Sequence, residues 1–185
     1  MKIVVGITGA TGAHMGFRMV ELLQDLGHES HVVVSTWGEE TLRHETNHTL
    51  DELKSISTVF YDNRNMAAAI SSGSFSVDAM VIIPCSMKTL SAVAHGYADN
   101  LIARAADVTL KERRKLVMVT RETPLSSIHL RNMLLLSDMG AVIMPPVLGY
   151  YSKLSEQALT DAFLGRVLKQ LGLDNPYYKP WVSLK

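Results

Sequence analysis

The sequence holds a single cysteine, Cys85, so no intrachain disulfide can form, and that usage suits a reducing compartment. Neither sign of charge is in excess: 18 Lys and Arg balance 18 Asp and Glu, which leaves no electrostatic footprint for nucleic acid or an anionic membrane surface. No apolar run approaches the ~20 residues of a membrane span. Met1 leads straight into a strand-like segment without the pattern of a signal peptide, and a cytoplasmic protein is the expectation. What is plentiful is apolar: 47% of the 185 residues are hydrophobic, with ten methionines, more than a small domain hides alone. One domain that assembles into a homo-oligomer follows from that balance.

Short β-branched runs alternate with longer helical patterns, the rhythm of βαβ units. Strands are predicted over 2–7, 29–35, 58–61, 79–83, 115–120 and 141–144, each apolar on both faces as buried parallel strands are. Helices are predicted over 12–26, 37–44, 50–55, 66–71, 98–113, 127–139 and 155–171. The fold class is therefore α/β, a single doubly wound three-layer sandwich around a parallel sheet, over residues 1–173. The remaining residues, 174–185, contain two prolines and three aromatics, Tyr177, Tyr178 and Trp181. They read as an extended arm packed on the same or a neighbouring subunit.

Gly6-Ile-Thr-Gly-Ala-Thr-Gly12 follows the first strand and opens the first helix, where bare amides and the helix dipole favour an anion. A phosphate site is expected there, although the spacing is not G-x-G-x-x-G and a plain strand-to-helix turn fits as well. Thr8 and Thr11 add hydroxyls at the strand's carboxyl end. Ser35 closes the second strand and Pro84-Cys-Ser-Met-Lys-Thr89 the fourth, on the sheet edge where open α/β folds bind ligands. Cys85 reads as a small buried hydrophobe lining that region. Arg104 and Asp107 interrupt an apolar helical stripe, and an i,i+3 pair between them is one explanation. Arg121-Glu-Thr-Pro124 sets a cation beside a carboxylate, either as an ion pair or as an acid tuned by adjacent charge. Lys111, Arg121, Tyr151 and Arg166 together have the point charge, guanidinium forks and phenol to hold a phosphate.

In the same order, Gly6-Ile-Thr-Gly-Ala-Thr-Gly-Ala13, Ser72-Gly-Ser74, Pro84-Cys-Ser-Met-Lys-Thr-Leu-Ser91, Gly96-Tyr-Ala-Asp-Asn-Leu-Ile102, Leu110-Lys-Glu-Arg-Arg114 and Arg121-Glu-Thr-Pro-Leu125 resemble the UbiX-type flavin prenyltransferases. The Asn-Pro-Tyr ending with Trp181 is similar to the branch found beside phenolic-acid decarboxylases of the UbiD type. The resemblance implies a Rossmann-like, flavodoxin-type sandwich assembled into dodecamers, with FMN bound where subunits meet. It implies transfer of a dimethylallyl group from dimethylallyl phosphate to N5 and C6 of reduced FMN, and delivery of the prenylated FMN to a UbiD-type decarboxylase.

Carried over by motif, Thr8, Gly9, Ala10, Thr11, Ser35, Ser86, Met87, Lys88, Thr89 and Arg104 match flavin-binding positions. Lys111, Arg121, Tyr151 and Arg166 match positions that hold the prenyl phosphate, Glu45 an acid near the flavin ring, and Glu122 the acid for phosphate departure. No metal is implied, and no Asp-Asp-x-x-Asp cluster is present to hold Mg²⁺. The chain departs from the family at Thr11, where a serine is common, at Asn65, where some members carry an aromatic, and after Tyr151, where Ser-Lys-Leu-Ser155 is one residue shorter. A peptidyl-cysteine type FMN-dependent decarboxylase shares this fold, but its P-x-M-N-x-x-M-W signature is replaced by Arg121-Glu-Thr-Pro124. A non-catalytic flavin-binding subunit would have no use for Lys111, Glu122 and Tyr151 together.

Overall fold

The computed structural model describes residues 1–149 and 154–180. Six strands form one sheet, every neighbouring pair parallel: β1 (Lys2–Ile7), β2 (Glu29–Val34), β3 (Val59–Asp62), β4 (Ala79–Cys85), β5 (Lys115–Thr120) and β6 (Val142–Ile143). Their order is β3-β2-β1-β4-β5-β6. Helices α1 (Ala13–Asp25), α2 (Thr36–Glu45), α3 (Leu50–Ile56) and α7 (Glu156–Leu171) cover one face; α4 (Met87–Ala94), α5 (Leu101–Lys111) and α6 (Ser127–Asp138) cover the other.

Alternation along the strands builds two cores from one set of apolar runs. Ile3, Val5 and Ile7 point toward α1 and α7, with Val81, Ile83, Val117 and Val119, while Val4, Met80, Ile82 and Met118 face α4 and α5. Both faces are dry, as a parallel sheet requires. Between α1 and α7, Arg18 donates to Asp161 (3.0 Å) and to Glu21 (3.0 Å).

The strand predictions hold to within a residue or two, and the helix predictions need three corrections. The helix expected over 66–71 is only a 3-10 turn, Ala69–Ser71, because the Asn65 side chain takes the Ala67 amide (3.1 Å) and folds the preceding residues into turns. The helix expected from residue 98 begins at Leu101, since Asn100 caps it by accepting from the Ala103 amide at 3.1 Å. Helix α4 was not expected: the segment after β4 reads as a binding loop, yet Ser86 accepts from the Thr89 amide (3.3 Å) and starts a helix with Leu90, Val93 and Ala94 buried. The 174–185 arm packs on its own subunit as far as Tyr178: the Asn175 side chain donates to Gly165 and accepts from the amides of Tyr177 and Tyr178, and Gly165 has no side chain where Tyr177 crosses α7. Trp181 lies outside the described residues.

Candidate flavin site

The chain leaves β1 in one direction to build β2 and β3 and returns to the other side of β1 for β4, so the strand order reverses between β1 and β4. Loops at the carboxyl ends of adjacent strands part there and leave a crevice. Its floor is the turn from Thr8 to Gly12, where Gly12 holds φ 102°, a left-handed conformation open to glycine at little cost. Its two walls are the starts of α2, capped by Ser35 on the Gly38 amide (3.0 Å), and of α4, capped by Ser86. The amides of Thr36, Trp37, Met87 and Lys88 have no acceptor among the described residues. Two helix N-termini with open donors therefore face the crevice, and each attracts an anion.

Thr8 does not face it. Its side chain is buried, and its hydroxyl donates to the Pro84 carbonyl (2.8 Å) while accepting from the Ser86 amide (2.8 Å), with its own amide on the same carbonyl at 3.2 Å. The expectation that Thr8 touches the flavin is thus corrected: Thr8 fastens the β1 loop to the β4 loop from behind. The phosphate site expected at the first helix is corrected too. Glu45, the last residue of α2, accepts from the amides of Gly12 (2.7 Å) and Ala13 (3.0 Å) and from the Thr11 hydroxyl, so an internal carboxylate already fills that N-terminus. The open anion sites are those of α2 and α4.

Beyond β4, Arg121 donates its amide to the Cys85 carbonyl (3.1 Å), which brings the Arg121–Glu122 loop to the same sheet edge. The two side chains form no ion pair with each other; Glu122 is exposed and, among the described residues, accepts from the Thr123 amide (3.0 Å). Cys85 is fully buried, and burial pushes its thiol far above the ordinary range, so it is core and not a nucleophile.

Two predicted site residues, Lys111 and Arg166, lie away from this edge within one chain. Lys111 ends α5 only four residues before β5 begins, so it sits at the opposite edge, the six residues of β5 or about 20 Å from Arg121. There it pairs with Glu112, near Gly73, where Arg114 also donates to the carbonyls of Gly73 (2.8 Å) and Phe75 (3.1 Å). Arg104, on the first turn of α5, donates to the Ser71 carbonyl (3.1 Å) and to Asp107 (2.7 Å), the i,i+3 pair that the sequence offered as one explanation. Arg166 is exposed, about 15 Å along α7 from its start. Tyr151 lies outside the described residues.

The flat, phosphate-bearing shape that two facing helix N-termini accept agrees with what related proteins bind. The model of the Flavoprotein family matches residues 1–162. A probable UbiX-like flavin prenyltransferase of Bacillus subtilis is 50% identical over 186 residues, spanning all of this chain and 91% of that protein. This chain belongs to the UbiX-like flavin prenyltransferases. Among solved structures, AnUbiX (PadA1), in complex with FMN and dimethylallyl pyrophosphate, is 46% identical and superposes with a TM-score of 0.97 over 100% of this chain and 98% of that one. The dodecameric FMN-dependent UbiX-like decarboxylase of Escherichia coli O157:H7 is 45% identical, TM-score 0.96, covering 99% and 100%. Likeness to FMN-dependent cysteine decarboxylases, such as TvaF at 17% identity and TM-score 0.68, shows the fold alone.

Two features of this family member gave no sequence signal. Glu45 caps a helix 33 residues away from it in sequence, a long-range contact invisible to local pattern. His31, in the middle of β2, is buried among Tyr61 and Phe75; its Nδ1 lies 2.9 Å from the Tyr61 hydroxyl and its Nε2 has no hydrogen-bond partner among the described residues.

Proposed function

We propose that this chain transfers a dimethylallyl group from dimethylallyl phosphate to N5 and C6 of reduced FMN, forming prenylated FMN for a UbiD-type decarboxylase. The observation that carries the proposal is the meeting of two open helix N-termini with the Arg121–Glu122 loop at one sheet edge, in a chain 46% identical throughout to a protein that binds FMN and dimethylallyl pyrophosphate together. Reduced FMN supplies the nucleophilic nitrogen and the ring carbon of the new bonds. Gly9, Ala10, Thr11, Ser35, Ser86, Met87, Lys88 and Thr89 bind it, their amides and hydroxyls converging from three strand ends. Thr11 and Glu45 stand beside the ring, the carboxylate held in place by the start of α1.

Glu122 gives a proton to the phosphate oxygen as the allylic C–O bond breaks, and Arg121 balances the charge that develops on the leaving group. Lys111, at the far edge of its own subunit, and Arg166, well along α7, reach a neighbour's crevice in an oligomer, and Arg104 and Tyr151 complete the flavin contacts and the phosphate clamp. A reason for such neighbours lies on α6, which exposes Ile128, Leu130, Leu134 and Leu135 to solvent in the isolated chain. A homo-dodecamer, the assembly of the Escherichia coli relative, buries surfaces of this kind. No helix among the described residues is long and apolar enough to cross a membrane, and the single buried Cys85 suits the cytoplasm.

The test is mass spectrometry of the flavin after incubating the protein with reduced FMN and dimethylallyl phosphate. A flavin heavier by one dimethylallyl unit supports the proposal. Unmodified flavin, together with direct release of CO₂ from a phenolic acid, rejects it in favour of a decarboxylase.

A further inference from the structure

Trp37 is the most exposed aromatic side chain among the described residues, 75% accessible, and it stands on the first turn of α2, two residues after the Ser35 cap. Its position is fixed on the side away from solvent. A Cβ on Gly9 would lie 2.3 Å from the Trp37 Cβ, so Gly9 is the one residue type that lets the β1 turn close against it. The Trp37 carbonyl is held by the Thr41 hydroxyl at 2.6 Å, which ties the residue into the helix. Trp37 thus stands at the join between the crevice floor and the α2 wall, with no aromatic partner among the described residues.

The other groups that line this crevice are mostly polar: Thr11, Ser35, Ser86 and Thr89 bring hydroxyls and Lys88 a cation. A tricyclic flavin needs an apolar surface for its ring as well as donors for its phosphate, since pockets hold flat ligands by burying their faces. We infer that Trp37 is the aromatic wall of the flavin site, its indole packed on the isoalloxazine ring, and that it positions the ring for prenylation. The inference rests on the FMN-binding reading above and adds to it a residue outside the motifs that carry the family resemblance.

The experiment titrates oxidised FMN into the parent, W37A and W37F proteins, following flavin fluorescence and, in parallel, the assembly by light scattering. Stacked indole quenches flavin emission by electron transfer. The parent is expected to bind FMN with strong quenching. W37A should bind about tenfold more weakly, the loss of one stacked aromatic contact, and leave the bound flavin bright, while W37F restores affinity but not quenching. An unchanged affinity and unchanged quenching in W37A overturn the inference. So does a fall in assembly mass in W37A, which makes Trp37 a subunit contact instead. Failure of the parent itself to bind FMN is a different result, and it removes the functional proposal and not only this residue's part in it.

Discussion

Glu45, at the end of α2, closes the start of α1 by accepting from the Thr11 hydroxyl and from the amides of Gly12 (2.7 Å) and Ala13 (3.0 Å). An N-terminal anion site is thereby satisfied from within, and the helix dipole that would draw a phosphate instead holds a carboxylate beside the crevice floor. E45A leaves two part-buried amides without their acceptor. We expect it to lower unfolding free energy by about 1–2 kcal/mol and to slow prenyl transfer by displacing Thr11. Denaturant unfolding checks the first effect; an unchanged midpoint with an unchanged slope rejects the capping role.

Thr8 is a second internal fastening, and its test separates it from the ligand contacts. T8V keeps the shape but removes the hydroxyl, so the Ser86 amide loses its acceptor and the Pro84 carbonyl one of its donors. A cost of about 1–3 kcal/mol is expected for stranding buried polar groups. Flavin affinity should fall only through loosening of the α4 start, and a T8V protein of parental stability would contradict the arrangement.

Much of this layout is legible in the sequence, and the exceptions share a cause. Strands such as Lys2–Ile7 and Lys115–Thr120 announce themselves because a doubly buried parallel strand is a continuous apolar run, and the carboxyl-edge position of Ser35 and Arg121 follows from chain order alone. Helix α4 escaped because Ser86-Met-Lys-Thr89 is both a cap with its first turn and a run of ligand-like polar residues, and local chemistry does not choose between them. The filling of the α1 start by Glu45 and the diversion of Thr8 to the β4 loop depend on which distant segments the sheet order brings together, which pattern along the chain does not encode, whereas the separation of Lys111 from Glu122 follows from their places before and after β5.

Acidity should weaken the fold through His31. Burial lowers its pKa below the ordinary 6.5, and although Glu29, 3.9 Å from Nε2, favours the proton, Lys2 opposes it; Tyr61 and Phe75 supply the rest of its surroundings. The unfolded chain then takes up a proton near pH 6.5 that the folded chain resists. The contribution to stability is full above that pH and is lost as pH falls through it toward the lower native value. H31Q keeps a partner for the Tyr61 hydroxyl and cannot titrate. Thermal unfolding measured between about pH 7 and pH 5 should fall more steeply for the parent than for H31Q; parallel curves would show that His31 carries no part of the dependence.

The sharpest consequence of the fold concerns Lys111 and Glu122, which the length of β5 keeps at opposite edges of one subunit. If both serve one reaction, they come from different copies, and two defective chains can repair each other. E122Q cannot give a proton, and we expect normal FMN binding with prenyl transfer slowed by roughly 10²–10⁴. K111A removes a cation from the leaving phosphate and should raise the donor concentration needed before it lowers the rate at saturation. The two variants, unfolded together and refolded as mixed assemblies, form some crevices in which Glu122 of one copy meets Lys111 of another. With equal amounts and free exchange, about one site in four then has both residues. Activity at low donor concentration should therefore rise well above the average of the two pure variants. If the mixture performs only at that average while light scattering confirms that mixed oligomers formed, Lys111 and Glu122 do not share a site across subunits, and Lys111 must be withdrawn from the phosphate clamp.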